Sequence, residues 1–381
     1  MTMAEQVAAY LPIIETASGR IVGYEVKATS SNGMGISADQ LLVDWQQALN
    51  DIDSHQPSTK LAMSLSALAI LDVSSEFIEK LVEISLQAGS KAIQPVFEIH
   101  CADGQLDQLE LIANQAKSLG CSVVMGGFDE GFALLDQIAR VRPQYIKLNL
   151  SAMEGDRTSL QALAAVAKRF GAQVICEGVS TQEDFFFALG CNASHVQGEL
   201  FSNSEVSLSA ADTFVELVHS LLASFRDMAV DAAARNHWLA ERVSAELLAL
   251  RELIRASDLS EGISHYLPSE HLLRFFICDQ EGNQISPNYE NNKGAWVENN
   301  EHLGSNWSWR PYFFELIGGN ALEDQLAFSE PYQDINSGQT SQTAAMFIDD
   351  KRILLADLAN HNPSSIEGFY TCGMRARALN R

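Results

Sequence analysis

The first two hundred residues alternate between short apolar runs typical of β-strands and amphipathic runs typical of α-helices. Repeated strand–helix units predict a parallel sheet, and about seven or eight of them predict a closed barrel. The strand-like runs are residues 20–25, 61–65, 94–99, 122–126, 145–148, 173–176 and 195–197. An open, doubly wound sheet is the alternative, but no glycine-rich phosphate loop follows the first strand-like run.

Glycines mark the ends of three of the helical patterns. Gly120 and Gly171 follow the patterns at residues 105–119 and 159–170, and Gly190 closes a later one. A glycine just past a helix can take the left-handed conformation that caps the last carbonyl groups. We therefore expect all three to be C-terminal caps.

One strand-like run, Val-Val-Met at residues 123–125, ends in Gly126 and Gly127. A barrel enzyme keeps its reactive side chains at this end of its strands, but a glycine has none to offer. Polar residues close the other runs: Glu25, Ser64, Ser66, Glu98, Lys147, Asn149, Glu177 and Gln197. Carboxylates in such positions suit divalent cations, which prefer oxygen ligands.

The charge of the chain limits its partners. Its 25 Lys and Arg against 49 Asp and Glu give a formal net charge of −24. We expect no nucleic-acid partner and no anionic membrane partner, because both need clustered basic residues; the acidity itself is explained by solubility. The six cysteines form no metal-binding pattern, and from the sequence we expect neither a secretory signal nor a membrane-spanning run. We expect a cytoplasmic protein.

Residues 209–257 contain neither proline nor glycine and predict one long helix. Its apolar residues follow a heptad seam that is interrupted by one extra step of four, a stutter. The seam consists of Phe214, Val218, Leu221, Phe225, Met228 and Ala232, then Leu239, Val243, Leu247, Leu250 and Ile254. Two interpretations stay open: a helix that packs within its own chain, or a dimeric connector between two domains.

The pattern changes again after Pro268. Residues 273–278 and 284–286 flank a turn and predict a hairpin, and residues 343–348 and 352–358 predict a second. With a short helical segment at about residues 309–316, they indicate a compact α+β domain. The expected organisation is therefore a barrel domain over residues 1–208, a connector helix over 209–257 and a second domain over 258–381.

Six segments of the first half, in order and spacing, resemble the EAL domain, the cyclic di-GMP phosphodiesterase barrel of bacteria. They are residues 19–25, 65–66, 97–99, 145–147, 176–179 and 197–198. The resemblance covers roughly residues 5–205 and implies a modified TIM-type (β/α)8 barrel that hydrolyses cyclic di-GMP with Mg²⁺ or Mn²⁺. Of the residues that it implies for the active site, this chain keeps Glu25, Glu98, Lys147, Glu177 and Gln197.

Several metal-binding positions of the EAL pattern are changed in this chain. The two aspartates that bridge the metal ions fall on Gly126 and Gly127, and the asparagine ligand falls on Ser64. The aspartate after the lysine falls on Asn149, and a loop-stabilising glutamate falls on Ser180. Asp129 lies past the glycine turn and is not expected to reach back. The Glu-Ala-Leu motif that gives the EAL domain its name is replaced by Glu-Val-Lys at residues 25–27, so its glutamate is kept.

Phosphate contacts are changed too. The arginines that the resemblance implies fall on Thr29 and on Asn203-Ser204.

We therefore expect a catalytically inactive barrel that needs no cofactor, with the remaining carboxylates solvated or paired with Lys147 and Arg20. If those carboxylates share a poorly hydrated space, the pKa of one of them should be raised. Two alternatives stay open: a metal-dependent phosphodiesterase with a rearranged site, and a cyclic di-GMP receptor that binds without cleaving.

The C-terminal region resembles the PAS-like domain that follows EAL barrels in YkuI-type proteins and is akin to Cache sensor folds. Residues 274–279, 284–288, 306–313 and 329–335 carry the resemblance. It implies a sensor pocket for a small carboxylate or an amino-acid-like ligand, formed by Trp309, Arg310, Tyr312, Tyr332 and Asp334. The alternative is a closed structural cluster in which Arg310 pairs with Asp334 and the tryptophan rings are core.

The two resemblances together imply a bacterial signalling protein of the cyclic di-GMP system. We expect a homodimer joined through the long helix and the barrel, with a sensing C-terminal domain and a barrel surface that binds a protein partner. The identity of that partner and of the sensed metabolite does not follow from the sequence.

Overall fold

The computed structural model describes residues 9–27, 38–55, 60–65, 77, 79–80, 82–84, 95–100, 106–127, 134–151, 157–202, 208–256, 263, 266–318, 326–334 and 338–359. Of the positions singled out above, Thr29, Ser66, Asp129, Asn203 and Ser204 lie outside these residues. The chain divides into two compact units, Met1–Asp227 and Met228–Arg381.

The first unit contains a closed barrel of eight strands in sequential order. The strands are β1 (Ala9–Glu15), β2 (Ile21–Lys27), β3 (Lys60–Leu65), β4 (Pro95–His100), β5 (Ser122–Gly126), β6 (Tyr145–Asn149), β7 (Gln173–Glu177) and β8 (Ala193–Val196). From β2 to β8, each strand is parallel to the next one in the sequence. This confirms the predicted TIM-type barrel.

Strand β1 differs from the expectation of an all-parallel sheet. It was not among the predicted strands, and it pairs antiparallel with both β2 and β8. Only residues 16–20 connect β1 to β2, and a parallel crossover needs a dozen residues or more. The short connection therefore forces a hairpin, in which Gly19 adopts a positive φ of 71°.

Helices of the first unit follow the strands. Those with described bounds are α1 (Ala38–His55), α2 (Leu106–Ser118), α3 (Leu134–Val141), α4 (Arg157–Arg169) and α5 (Gln182–Gly190). Gly120 and Gly171 take the left-handed conformation expected of caps, with φ of 85° and 76°. The expectation for Gly190 was wrong, because this residue is still helical and Asn192 takes the left-handed conformation instead, with φ of 55°.

A long helix, α6 (Val215–Ala256), begins in the first unit and ends in the second. Its 42 residues correspond to about 63 Å at 1.5 Å per residue. Seam residues Phe214, Val218 and Leu221 are buried in the first unit, and seam residues from Val243 onward belong to the core of the second. Most of the described seam is thus used within the chain, as the first interpretation of the helix expected.

The second unit is built on an antiparallel sheet. Its strands are β9 (Leu272–Asp279), β10 (Asn288–Asn292), β11 (Ala295–Asn299), β12 (Ala327–Phe328), β13 (Tyr332–Gln333), β14 (Thr340–Phe347) and β15 (Arg352–Ala359), in the order β11-β10-β9-β15-β14-β12, with β13 on β14. One face packs on α6 through Leu247 and Leu250, and the other packs on α7 (Pro311–Gly318) through Tyr312 and Phe313.

Of the two hairpins predicted for this unit, the second is confirmed and the first is wrong in its second strand. The second corresponds to β14 and β15, which pair from Ser341↔Ala359 to Phe347↔Ile353. In the first, residues 284–286 form no strand: Gln284 makes an isolated bridge to Cys278, and β9 pairs with β10 through Tyr289↔Phe275. The backbone N–H of Ile277 donates to Ser286 Oγ, so a side chain here replaces a strand partner.

Candidate functional site

Five polar residues meet inside the barrel. Four of them lie on strands, and the fifth directly follows a strand. Glu25 lies on β2, Glu98 on β4, Lys147 on β6, Glu177 at the end of β7 and Gln197 directly after β8. Alternate residues of a barrel strand point inward, and the register of neighbouring strands brings these inward-facing side chains to one place. We call them the Lys147 cluster.

The ammonium group of Lys147 lies among three carboxylates. Lys147 Nζ donates to Glu25 Oε2 at 2.8 Å and to Glu98 Oε2 at 2.9 Å, and it lies 3.0 Å from Glu177 Oε2. Gln197 Nε2 donates to Glu25 Oε2 at 2.7 Å. The side chains of Lys147, Glu25 and Glu98 are at most 5% exposed, whereas that of Glu177 is 27% exposed.

The electrostatics of the cluster follow from its burial. Burial disfavours the ammonium ion, but the attraction of Glu98, Glu25 and Glu177 outweighs it and holds the pKa of Lys147 well above its usual range. Burial also raises the pKa of Glu177, and repulsion by the other two carboxylates adds to this while Lys147 opposes it. One carboxylate with a raised pKa is the outcome that the sequence led us to expect.

The glycine pair borders this cluster. A Cβ atom on Gly126 would lie 2.9 Å from Glu98 Oε1 and 3.8 Å from Lys147 Cβ, so this position faces the carboxylates. Gly127, the next residue, has a φ of 75°, in the region that disfavours a side chain. The end of β5 therefore faces the site but contributes no side-chain donor atom to it.

The donor set does not fit a pair of divalent ions. Two ions about 3.5–4 Å apart need a carboxylate between them, and the strand end that could supply one carries Gly126 and Gly127. The three glutamates of the cluster converge on an ammonium group instead. Within the described ranges, no group of three or more His, Cys, Asp or Glu side chains is arranged to hold a metal ion.

Two other changed positions of the barrel, Asn149 and Ser180, form local hydrogen bonds. Asn149 Oδ1 accepts from the backbone N–H of Ser151, and Ser180 donates to Asp184 through its backbone N–H and through Oγ. Ser64 is paired in register with Glu98 on the neighbouring strand. Arg20, expected as a possible partner of the carboxylates, is exposed and forms no ion pair with a described residue. Lys147 therefore takes that role alone among the described residues.

A small cavity of about 30 Å³ lies beside the cluster inside the barrel. Tyr145 and His195 line it, with their rings edge to face at 5.6 Å. The Nδ1 atom of His195 lies 2.8 Å from Ser194 Oγ. We did not single out either residue from the sequence, although Tyr145 precedes Lys147 by two and His195 precedes Gln197 by two, the spacing of inward-facing neighbours.

In the second unit, the predicted sensor residue Asp334 is paired with an arginine that was not predicted. Arg274 donates to Asp334 Oδ1 at 2.7 Å and to Asp357 Oδ2 at 2.5 Å. Asp357 Oδ1 accepts from Thr343 Oγ1 at 2.7 Å, and the hydroxyl of Tyr332 lies 3.1 Å from the same Thr343 oxygen. The pair of Arg310 with Asp334, which belonged to the alternative of a closed structural cluster, is therefore wrong. Arg274 faces Asp357 in register across β9 and β15 and also reaches Asp334.

The remaining sensor candidates separate into a buried and an exposed group. Tyr312 is buried beneath the sheet, and burial with the nearby charge of Asp357 raises its pKa. Arg310 lies over the ring of Trp309 at 4.2 Å, and Trp309 is 63% exposed. The expectation of tryptophan rings as core is wrong for Trp309, which lies just before α7 and faces solvent.

Comparison with protein families gives two matches. Residues 4–204 match the EAL domain, and residues 219–363 match the EAL-domain associated signalling protein domain. The first match spans the barrel, and the second begins within α6 and extends past β15.

Individual proteins with the same arrangement are also similar. The EAL-domain containing protein YkuI of Bacillus subtilis (strain 168) is 25% identical over 311 residues, which cover 76% of this chain and 74% of YkuI. The crystal structure of Bacillus subtilis YkuI in complex with its substrate cyclic di-GMP and calcium has a TM-score of 0.77 and 21% identity, over 92% of this chain and 94% of that one. The fold of this chain thus resembles that of YkuI over nearly its whole length.

Proposed function

The chain belongs to the EAL-domain family, and from this premise we propose that it is a signalling protein of the bacterial cyclic di-GMP system whose barrel does not hydrolyse the dinucleotide. In this proposal the barrel requires no metal ion and acts by binding a protein partner. The C-terminal domain senses a small molecule, and its match to a signalling domain supports that role.

The observation that carries the proposal is the glycine pair at the end of β5. Gly126 faces Glu98 and Lys147 but has no side chain, so the carboxylate that would bridge two ions is missing. The three glutamates that remain are within 3.0 Å of the ammonium group of Lys147. Without a divalent cation, the positive charge of the cluster is that of Lys147, which three glutamates already pair, so it does not offset the negative charge that builds up on a phosphodiester during attack.

Hydrolysis is tested with purified full-length protein, cyclic di-GMP and either Mg²⁺ or Mn²⁺, by following the linear product pGpG. We expect no product above the protein-free control. A turnover that is lost in Glu25→Gln would contradict the proposal and favour a phosphodiesterase with a rearranged metal site. An activity that survives Glu25→Gln would indicate a contaminating enzyme, which a second preparation of the variant would identify.

A non-hydrolysing cyclic di-GMP receptor is the second candidate. The crystal structure of YkuI contains cyclic di-GMP and calcium, and this chain shares the fold. Against it, the cluster leaves about two negative charges beside any bound phosphate if its carboxylates are ionised. Calorimetric titration with cyclic di-GMP, with and without Ca²⁺, decides between the two. A dissociation constant in the micromolar range or tighter, weakened by Glu98→Gln, would favour the receptor.

We also propose that the protein is cytoplasmic and forms a homodimer. Cys121, Cys176, Cys191 and Cys278 are buried free thiols, which is typical of a reducing compartment. The middle of α6 exposes Met228, Val230 and Trp238 by 37%, 59% and 56%, and these apolar side chains are available to a second copy. The test of the dimer is given in the Discussion.

A further inference from the structure

The second unit contains a cavity of about 320 Å³ between α6 and the segment that leads into β9. It is distinct from the sensor residues predicted from the sequence. Helix α6 contributes Arg242, Val243 and Glu246, and residues 266–269 with His271 form the facing wall. Its volume lies within the range of small-molecule sites, about 300–1,000 Å³. We call it the helix cavity.

The negative charge in the helix cavity is fixed in place. Glu246 Oε1 accepts from the backbone N–H of Ser269 at 2.8 Å, and Oε2 accepts from Ser269 Oγ at 2.6 Å. Each carboxylate oxygen has two lone pairs, so both keep acceptor capacity after these bonds. In the part of the chain that the structure describes, Glu246 has no ion-pair partner. Its charge is therefore positioned but not neutralised.

The positive charge is held separately. The guanidinium of Arg242 lies over the ring of Trp238, 4.7 Å from its centroid, and a cation–π contact leaves the N–H donors at its edge free. Arg242 precedes Glu246 by one helical turn, a spacing at which the two side chains are neighbours on a helix. They nevertheless form no ion pair, because the Trp238 ring holds one and Ser269 holds the other.

We propose that the helix cavity binds a small zwitterion of the free α-amino acid class, with its carboxylate on Arg242 and its ammonium group on Glu246. A ligand that carries both charges complements two opposite charges that line one cavity and do not pair with each other. An anion or a cation alone would complement only one of these two charges.

The remaining residues of the cavity wall would contact the side chain of the ligand. Val243, Leu267 and Pro268 are apolar, and Leu267 is 82% exposed. Burial, with the nearby charge of Glu246, raises the pKa of Tyr266, so its hydroxyl stays protonated and donates to the backbone oxygen of Glu246 at 3.3 Å. We expect a preference for amino acids with an apolar side chain, since Leu267 would lose exposed surface on binding.

The experiment uses the full chain and the twenty free amino acids, each tested by the shift in melting temperature and, for those that raise it, by calorimetric titration. The best binder is then compared with its N-acetyl form, which lacks the ammonium charge, and with its carboxamide, which lacks the carboxylate. We expect binding of the free amino acid and a loss of at least about tenfold in affinity for each derivative.

Two variants and a matched control assign the binding to the cavity. Arg242→Gln and Glu246→Gln should each weaken binding by about tenfold or more, and in the second variant the new amide oxygen can still accept from Ser269, which keeps the segment in place. Arg235→Gln, on the exposed part of the same helix, should bind as the unmodified protein does. Circular dichroism at room temperature checks that the variants are folded.

Three results would overturn the inference: no amino acid binds at millimolar concentration, the derivatives bind as well as the free amino acid, or Arg242→Gln binds as well as Arg235→Gln. None of them depends on whether the barrel cleaves or binds cyclic di-GMP. The inference and the proposed function of the barrel can therefore fail separately.

Discussion

Lys147 is the buried counter-charge of three glutamates inside the barrel. It is buried, and its ammonium group contacts carboxylates on three other strands. A buried charge is tolerated when it is paired and hydrogen-bonded, and the remaining member of a pair becomes costly when its partner is removed. The stability of the barrel interior should therefore depend strongly on this residue.

Lys147→Met should lower the free energy of unfolding by about 3–5 kcal/mol at neutral pH, because it leaves three glutamates without a cation. The loss should be smaller under mildly acidic conditions, where those carboxylates take up protons. Urea denaturation at both pH values measures the two effects. Lys168→Met on the exposed side of α4 is the control, with an expected change within about 0.5 kcal/mol; an equal change in both variants would contradict the role of Lys147.

The raised pKa of Glu177 predicts a pH dependence. A carboxyl group whose pKa is higher in the folded state than its ordinary value of 4.5 binds protons more tightly when the protein is folded. Protonation of Glu177 therefore stabilises the folded state. This contribution is fully present below pH 4.5 and is lost as the pH rises through the raised pKa of Glu177. Glu177→Gln should thus gain stability relative to the unmodified protein as the pH rises from about 4 to about 7.

Asp184→Asn is the control of opposite sign for that measurement. Burial tends to raise the pKa of Asp184, but hydrogen bonds from Thr181 and Ser180 outweigh it and lower the pKa below its ordinary value of 3.8. The stability from Asp184 is present above pH 3.8 and lost as the pH falls. Denaturation of both variants across the same pH series should give slopes of opposite sign, and parallel slopes would contradict the assignment.

Restoring carboxylates at the glycine pair should restore metal binding. In Gly126→Asp with Gly127→Asp, the new side chain at residue 126 clashes with Glu98 and repels it from its place beside Lys147. Residue 127 adds strain of about 1–2 kcal/mol because of its positive φ. We expect a lower melting temperature that Mn²⁺ partly recovers. Gly171→Asp, with φ of 76° and open space around it, should show the strain without the response to Mn²⁺.

At the scale of secondary structure, α6 changes its packing partner along its length. Val218 and Leu221 are buried in the first unit, and Leu247 and Leu250 are buried against the antiparallel sheet of the second. Between these parts, Val230 and Trp238 are exposed. The extra step of four in the seam lies in this middle part, where the apolar stripe changes direction on the helix surface.

Leu250→Ala should cost about 2–5 kcal/mol of unfolding free energy, because the side chain is fully buried between α6 and the sheet and its removal leaves a cavity. Val230→Ala on the exposed part of the same helix should change it by no more than about 0.5 kcal/mol. Thermal denaturation followed by circular dichroism compares the two. Similar losses would mean that the middle of α6 is also packed in solution.

At the scale of the whole molecule, the chain combines a barrel unit and a sheet unit, and α6 belongs to both. The charge of −24 keeps such a molecule soluble and works against close association of acidic surfaces. Any self-association therefore has to come from a local apolar contact. Among the described helices, the middle of α6 offers one in Val230 and Trp238.

Light scattering on a sizing column should give a mass near twice the 41.7 kDa of one chain. Val230→Glu should lower the fraction of dimer, because it places a charge on the exposed apolar part of α6. Ser220→Glu, exposed on the same helix, is the control and should leave the mass unchanged. A monomeric mass for the unmodified protein at all concentrations would contradict the dimer.

The sequence by itself determined the features that depend on neighbouring residues. Alternating strand and helix patterns predicted the barrel, the spacing of the polar residues placed Glu25, Glu98 and Lys147 on its strands, and the glycines at 126 and 127 removed two side chains from its rim. These features follow from local periodicity and from the absence of a side chain, neither of which needs tertiary contacts.

Only the tertiary structure decided which charges meet. Of the two partners that the sequence offered for the carboxylates, Lys147 rather than Arg20 reaches Glu25, which is 122 residues away. Arg274 rather than Arg310 reaches Asp334, and Arg242 and Glu246 contact Trp238 and Ser269 rather than each other. Side chains that distant in sequence are brought together by strand register and helix packing, and the local pattern does not encode either. The direction of β1 was likewise decided by the length of one connection and by closure of the barrel onto β8.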